Sequence, residues 1–235
     1  MLTLDRQEWY RRRYGEMRPR WQPSSQVYQS LVTRLIKEHK RVLDLGCGRG
    51  GVLERLHWLA ARVVGLDPDG PSLREHRISG IPLLCGQAEF LPFADGSFDL
   101  VCCSWVLEHL VGPQHTFCEV ARVLRPGGRF AFVTPNARHP LLLLNRAARS
   151  TQGRLVEWAY ARSEKDTFPA AYGANTLRRI ELLAQAAGLE RVALRFIGDP
   201  TYIAFSEPLF RLACLLERVT PPRMRVHLVG DYAAR

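Results

Sequence analysis

The chain alternates short apolar segments with longer amphipathic ones, and this pattern predicts alternating strands and helices. Short runs rich in valine, leucine and isoleucine are typical of buried strands when turn residues follow them. Seven segments are predicted as strands on this basis: Val42–Leu45, Arg62–Leu66, Leu83–Cys85, Phe98–Ser104, Arg129–Thr134, Arg191–Ile197 and Thr201–Ser206. Alternation of this kind indicates a parallel sheet covered by helices on both faces.

The amphipathic segments between these strands predict the helices. Residues 1–40 hold two helical patterns, which Pro19 and Pro23 separate. Further helices are predicted at residues 52–59, 114–124, 176–187 and 209–219. The expected fold class is therefore α/β, a Rossmann-like, doubly wound, mostly parallel seven-stranded sheet with helices on both faces.

The composition is that of a globular protein with a basic surface. Hydrophobic residues make up 46% and charged residues 24% of the chain, and no apolar run approaches the length of a membrane span. Because the start, MLTLDRQEWYRRR, lacks the apolar core of a signal peptide, a cytoplasmic protein is expected. The net charge of +10 comes mostly from arginines. A solvated basic surface is favoured, and attraction to an anionic membrane, nucleic acid or acidic substrate stays open.

The six cysteines are predicted to be reduced, mostly buried thiols. None forms a CxxC pair, and none has a histidine at metal-ligand spacing. No metal site is expected.

The glycine-rich loop VLDLGCGRGG, Val42 to Gly51, fits two ligand classes. Gly46-x-Gly48-x-x-Gly51 satisfies the dinucleotide pattern, which on its own is weak. Asp44-x-Gly46-x-Gly48-x-Gly50 suits S-adenosylmethionine equally well, since an acidic residue favours its ammonium group. A pyrophosphate instead needs bare amides and no nearby anion.

Asp67 follows the second predicted strand, in VVGLD. A carboxylate there can accept hydrogen bonds from both hydroxyls of a ribose. Both ligand classes contain a ribose, so Asp67 indicates a nucleoside without naming it.

The segments that separate the two classes come next along the chain. They read GQAEFLPFADGSFDLVCCSWVLEHL, Gly86 to Leu110, and EVARVLRPGGRFAFVTPN. Together with VLDLGCGRGG they resemble the small-molecule branch of the class I S-adenosylmethionine-dependent methyltransferases, which includes the ubiquinone and menaquinone methyltransferases. The resemblance is close over residues 40–136 and looser over 174–206.

The resemblance implies S-adenosylmethionine as cofactor, S-adenosylhomocysteine as product, and a set of contacts to both. The methionine end would be held by Asp44, Gly46, Cys47 and Gly48, with Ser104 beside it. Asp67 would bind the ribose. The adenine would lie beside Pro68, Asp69, Gln87, Ala88 and Glu89. Gln87 stands where the family usually has an aspartate, and its amide oxygen can still accept a hydrogen bond.

His109 and Glu108 are the candidates for acid–base catalysis, on a helix expected after Ser104. His109 could act as a base, or it could line the pocket without titrating, and a nucleophilic acceptor would need no base. Aromatic residues that could form pocket walls, or simply core, are Tyr10, Tyr14, Trp105 and Tyr172. Val133-Thr134-Pro135-Asn136 resembles the small-molecule relatives and disfavours a nucleic-acid substrate.

The expected organisation is a helical lid at residues 1–40, a cofactor-binding core at 41–136, a cap at 137–173, the rest of the sheet at 174–206, and a C-terminal helical extension at 207–235. The apolar stripe of the last helix could seal the sheet, form a homodimer or lie on a membrane. The predicted function is methyl transfer to a small-molecule or lipid-like acceptor, with O-methylation marginally preferred. Alternatives are a dinucleotide-dependent oxidoreductase, a non-catalytic S-adenosylmethionine-binding protein and an RNA methyltransferase.

Overall fold

A seven-stranded sheet with the order β3-β2-β1-β4-β5-β7-β6 organises the chain. It is seen in a computed structural model that describes residues 3–37, 41–143 and 170–235. The strands are β1 (Arg41–Leu45), β2 (Arg62–Asp67), β3 (Leu83–Cys85), β4 (Phe98–Ser104), β5 (Leu124–Pro135), β6 (Leu189–Ile197) and β7 (His227–Ala234). The predicted fold class, a seven-stranded α/β sheet with helices between its strands, is thereby confirmed.

Six α-helices lie in the described residues. They are α1 (Leu4–Met17), α2 (Ser24–Ile36), α3 (Gly70–Arg74), α4 (Pro113–Val123), α5 (Leu177–Ala186) and α6 (Glu207–Val219). α1 and α2 are separated at the two prolines, as predicted. None of the helices in this part of the chain is both long enough and apolar enough to cross a membrane.

The chain forms two compact units by its internal contacts. The first, here called the helical unit, comprises residues 1–24, 136–169 and 196–227; the second, the sheet unit, comprises 25–135, 170–195 and 228–235. Most of the expected cap, residues 144–169, lies outside the described residues, as do Trp158, Tyr160 and Phe168.

The centre of the sheet unit explains where a ligand would bind. β1 pairs in parallel with β2 on one side and with β4 on the other. The chain therefore crosses over in opposite directions from β1, and the loops at the carboxyl ends of β1 and β4 diverge. The core behind this point includes a run of aromatic rings, in which Phe130 contacts Phe117 and Phe132, with centroids 5.6 and 5.3 Å away.

The helical unit has its own core, in which α1 packs against α6. The rings of Tyr10 and Phe210 lie 4.5 Å apart, and Tyr14 contacts Trp21 edge-on at 4.9 Å. Arg11 pairs with the buried Asp199 at 3.0 Å. The two tyrosines proposed as pocket walls are thus core residues of this unit.

Three sequence predictions of secondary structure outside the candidate active site were wrong. Residues 52–59 form two 3-10 turns, Val52–Arg55 and His57–Leu59, because Leu56 leaves the helical region and the side chain of Leu59 is exposed. The predicted strand Thr201–Ser206 is replaced by a 3-10 turn at Pro200–Ile203, which the Asp199 carboxylate caps by accepting from the Thr201 amide.

The third error concerns the seventh strand, which lies in the segment expected to be a helical extension. β7 carries Gly230 and Asp231, two residues that are uncommon inside strands. Their partners are distant in sequence: Gly230 packs on the ring of Phe132, and Asp231 binds Arg129. No local pattern indicates either contact.

Gly230 provides a test of this packing. A Cβ atom there would overlap the Phe132 ring, so Gly230→Ala should lower the free energy of unfolding by about 1–3 kcal/mol through overpacking. Urea denaturation measures the change. Gly51→Ala is the control, since a Cβ there meets nothing within 4 Å; equal effects of the two substitutions would contradict the assigned contact.

Candidate active site

The loop after β1 is folded back onto β2 by its own amides. The amides of Gly46 and Cys47 both donate to the Leu66 carbonyl, at 2.8 and 3.2 Å, and the Gly50 amide donates to the Cys47 carbonyl at 2.8 Å. Three of its glycines have left-handed φ angles, 74° at Gly46, 49° at Gly48 and 114° at Gly50. A side chain at any of these positions would be strained.

Asp67 joins the loops that follow β1 and β2. Its Oδ2 accepts from the Gly48 amide and its Oδ1 from the Asp69 amide, both at 2.8 Å. A carboxylate oxygen can accept more than one hydrogen bond, so both oxygens can still accept a ligand hydroxyl. The carboxylate predicted to bind the ribose is therefore fixed by hydrogen bonds from two backbone amides.

Gly46 is also required by the loop after β4. A Cβ atom at Gly46 would overlap Cγ2 of Val106, whereas at Gly48 the nearest atom would be Asp67 Oδ2 at 3.9 Å. Val106 was not among the residues singled out from the sequence. Its contact with Gly46 shows that the two loops pack directly on each other.

Asp44 gives this site an unusual electrostatic character. Its side chain is 4% exposed. Burial, and then the neighbouring Asp67, raise the pKa of Asp44 to about 7. A cationic group beside the two carboxylates would favour their ionised forms, so the site is suited to an ammonium group.

Cys47 turns its side chain towards the sheet. A Cβ atom at Gly65 of β2 would lie 2.8 Å from its Sγ. Burial, followed by Asp44 and Asp67, raises the pKa of the Cys47 thiol. A protonated thiol is a weak nucleophile, so Cys47 is suited to packing and to contact through its backbone.

The residues expected beside an adenine lie on the loops after β2 and β3. Ala88 is buried, whereas Pro68 and Gln87 are exposed. Asp69 caps α3 by accepting from the Ser72 amide at 3.1 Å. Glu89 is turned towards the start of α4 and accepts from the Gly112 amide at 3.3 Å, so its carboxylate is partly committed to the fold.

Glu108 and His109 lie on a turn, so the helix expected for them after Ser104 is wrong; the next helix, α4, begins at Pro113. The reason is Trp105, whose φ of 58° ends β4 in a conformation that no helix continues. Ser104 precedes it, and its buried hydroxyl has no hydrogen-bond partner within the described ranges. The turn is closed by the His109 amide, which donates to the Val106 carbonyl at 2.8 Å.

Glu108 is held in place by buried polar residues. The Thr134 hydroxyl donates to its Oε2 at 2.9 Å, and Asn175 Nδ2 donates to that hydroxyl at 2.6 Å. The amide of Tyr172, itself at a φ of 54°, donates to the Glu108 carbonyl at 3.0 Å. Asn175 was missed from the sequence because a lone asparagine between elements gives no pattern to read.

Comparison with known proteins identifies the centre of the sheet unit. Residues 43–132 match the methyltransferase domain family. These residues are a methyltransferase domain. The match includes the carboxyl ends of β1, β2 and β4, which carry Asp44, Asp67 and Ser104, and the loops that follow them.

Relatives of this methyltransferase domain include a fatty-acid O-methyltransferase of Mycolicibacterium smegmatis, 37% identical over 131 residues, which are 53% of this chain and 47% of that protein. A demethylmenaquinone methyltransferase of Corynebacterium urealyticum is 39% identical over 98 residues, 40% of this chain and 43% of the relative. The chain spans less than half the length of either relative.

The solved structures agree on the fold. An S-adenosylmethionine-dependent methyltransferase from Mesorhizobium loti superimposes with a TM-score of 0.60 at 17% identity, covering 88% of this chain and 97% of that one. At this identity the likeness concerns the fold of the methyltransferase domain and its extensions.

S-adenosylmethionine is the cofactor of this domain class, and the residues present fit it. Asp44 offers a buried carboxylate to the ammonium group, and Asp67 keeps accepting capacity for ribose hydroxyls. A pyrophosphate fits poorly, because the amides of Gly46, Cys47, Gly48 and Gly50 already donate within the protein. The first loop also leads into a short 3-10 turn, so the dipole of a long helix is missing there.

Asp44 should make cofactor binding depend on pH. Because the pKa of Asp44 is raised, ionisation of its carboxylate lowers the stability of the folded protein as the pH rises towards 7. A bound ammonium group would offset this loss of stability. We expect S-adenosylhomocysteine to bind more weakly as the pH falls from about 7 to about 6, by up to about tenfold per pH unit. Titration calorimetry measures this slope. Asp44→Asn should flatten it, and a slope that survives in that variant would assign it to another group.

Asp67 should contribute directly to affinity. Asp67→Ala removes the ribose acceptor and the hydrogen bond from the Gly48 amide. The binding free energy of S-adenosylhomocysteine should therefore become less favourable by about 1–3 kcal/mol, which raises its dissociation constant. The matched control is Asp95→Ala, which removes an exposed carboxylate paired with Arg122. An unchanged dissociation constant in Asp67→Ala would exclude the ribose contact.

Proposed function

We propose that this protein is an S-adenosylmethionine-dependent methyltransferase whose acceptor is a small lipid-like molecule, and that it methylates oxygen. The observation that carries the first part is the pair Asp44 and Asp67, at the carboxyl ends of β1 and β2, beside a glycine loop whose amides are already engaged. This combination suits a cationic nucleoside and disfavours a dinucleotide.

The roles of the chain's own residues follow from their positions. Asp44 would face the ammonium group, Asp67 would accept from the ribose, and the Ser104 hydroxyl would lie beside the methionine portion. The cofactor supplies an electrophilic methyl group on a sulfonium, which leaves by in-line displacement. The protein must then align an acceptor atom with that methyl group and exclude water.

The support for a lipid-like acceptor comes from the relatives. One of them is named for O-methylation of fatty acids. A fatty acid offers a carboxylate oxygen, which is already nucleophilic near neutral pH, so methyl ester formation would need no base. Because a long-chain acceptor partitions into lipid, the proposal includes peripheral contact with a membrane.

His109 would serve as a base only for an acceptor that must lose a proton, such as an alcohol or a phenol. Glu108 would act as a positioning residue, since its carboxylate accepts from the Thr134 hydroxyl and its backbone carbonyl accepts from the Tyr172 amide. A carboxylate acceptor would therefore need no base from this turn, whereas an alcohol or a phenol would need His109.

The function is tested by supplying trideuteromethyl-labelled S-adenosylmethionine with long-chain fatty acids, and separately with long-chain alcohols and phenols. We expect a labelled product in mass spectrometry, and alkaline hydrolysis should release the label from a methyl ester but not from an ether or a C-methyl group. His109→Gln should leave ester formation within about threefold, and should lower kcat by about 10²–10⁴ for an alcohol or phenol.

The result that would contradict the proposal is binding of S-adenosylhomocysteine without a labelled product from any acceptor class, which would favour the non-catalytic alternative. Labelling of RNA in preference to these acceptors would favour RNA methylation. The control protein is Asp67→Ala, which should lose product formation with every acceptor if the signal comes from this site.

A further inference from the structure

The helix α6 has two apolar faces, and the described part of the chain covers only one of them. Phe210, Ala213 and Cys214 are buried on one side of the helix, in the core of the helical unit. The other side carries Leu209, Leu212, Leu215, Leu216 and Val219, whose exposed fractions range from 39% to 77%. At 3.6 residues per turn these five side chains occupy one continuous face about 120° wide.

This exposed face differs from scattered surface leucines. It presents five large aliphatic side chains within 13 residues, without a polar residue among them. Contiguous apolar patches on globular proteins usually mark a contact with another molecule or with a membrane. α6 already buries its opposite side, so its packing against the described residues of the helical unit does not use this face.

The rim of the face is positively charged. Glu207 is shared by Arg13 and Arg211, at 2.6 and 2.8 Å. Arg218 and Arg223 are exposed, and neither has an acidic partner within the described residues. The charges available to a partner at the edge of this face are therefore cationic.

The remaining acidic residue of α6 does not offset these charges. Glu217 lies on the buried side, where its carboxylate is close to Gly198. Burial raises the pKa of Glu217 to about 7, although the nearby Arg225 acts in the opposite direction. Its negative charge is thus largely withdrawn from the surface.

A partly exposed aromatic side chain lies near the start of α6. Trp9 of α1 is about half exposed and carries the Arg13 guanidinium over its ring at 5.4 Å. The same guanidinium lies 5.8 Å from the Phe210 ring, which places Trp9 near the first turn of α6. Tryptophan beside arginine is common where proteins meet the headgroup region of a bilayer.

We propose that this face, formed by Leu209, Leu212, Leu215, Leu216 and Val219, docks onto a bilayer surface that contains anionic lipid. The aliphatic side chains would enter the boundary between headgroups and acyl chains, and Arg211, Arg218 and Arg223 would meet lipid phosphates. The inference rests on the proposed function in one respect: docking would give the enzyme access to an acceptor dissolved in lipid.

The charge pattern favours lipid over a second copy of the chain. In a two-fold symmetric dimer the same patch lies on both subunits. Where the two copies of α6 pair antiparallel, the arginine rim of one copy lies beside the arginine rim of the other, and like charges oppose such a contact. An anionic bilayer instead complements the rim at every arginine.

Cosedimentation with vesicles tests the proposal. The full chain should bind vesicles of equal phosphatidylglycerol and phosphatidylcholine at low salt, and bind phosphatidylcholine alone at least about tenfold more weakly. The double variant Leu212→Ser/Leu216→Ser should lose binding by at least about tenfold, because apolar insertion is lost. Arg218→Glu/Arg223→Glu should lose about fivefold or more for each arginine.

Matched controls separate this face from general stickiness and basicity. Leu182→Ser/Val192→Ser removes two comparably exposed aliphatic side chains of α5 and β6. Arg178→Glu/Arg195→Glu reverses two exposed arginines of the same elements. Both variants should bind vesicles within about threefold of the unsubstituted chain, apart from the general effect of net charge.

Two results would overturn the proposal. One is that the unsubstituted chain does not bind anionic vesicles. This includes the case in which sedimentation velocity shows a dimer that Leu212→Ser/Leu216→Ser dissociates. The other is vesicle binding that the α6 variants and the control variants weaken equally. Binding of S-adenosylhomocysteine by the α6 variants, measured in parallel, should stay unchanged, so that a failure of docking is distinguished from a failure of the proposed function.

Discussion

The hydrogen bonds that Asp67 and Leu66 accept from the loop after β1 are the constraint on which the candidate active site depends. They bring the end of β1 and the end of β2 together, and they engage the amides of Gly46, Cys47 and Gly48, three of those that a phosphate would otherwise use. Once those amides are engaged, the loop offers carboxylates and glycine surface to a ligand. The preference for a cationic nucleoside is therefore built into the backbone of the loop.

The same arrangement carries an energetic cost that a ligand can relieve. Asp44 is buried close to Asp67, and neither burial nor a neighbouring anion favours a second negative charge. Without a cation, Asp44 gives up its charge near neutral pH. Sites that hold groups in unfavourable states are common where binding or catalysis takes place, because the ligand supplies the missing interaction. The burial of Asp44 would thus increase the gain in free energy when a cationic group binds beside it.

How much could be predicted from the sequence depended on whether the determining contacts are local. β1 to β4 are short apolar runs followed by turn residues, and their bounds were predicted within one or two residues. β7 was missed because Gly230 and Asp231 are explained only by Phe132 and Arg129, about a hundred positions earlier. In the site, Asp44 and Asp67 lie together at the ends of adjacent strands, as the motif implied. The contact of Val106 with Gly46 and the support of Glu108 by Asn175 depend on tertiary packing, and no sequence pattern announces them.

The last helix shows the same limit and adds a physical argument about the acceptor. Its most regular apolar stripe, from Leu209 to Val219, would be taken from periodicity alone as the buried side, yet the structure buries Phe210 because the Tyr10 ring lies against it. The regular stripe is left for another partner. Moving a long-chain acceptor from a bilayer into water costs about 0.8 kcal/mol for each methylene group. A methyltransferase that meets the bilayer through its own helix would shorten the aqueous path of such an acceptor, and this benefit grows with the length of the chain that it methylates.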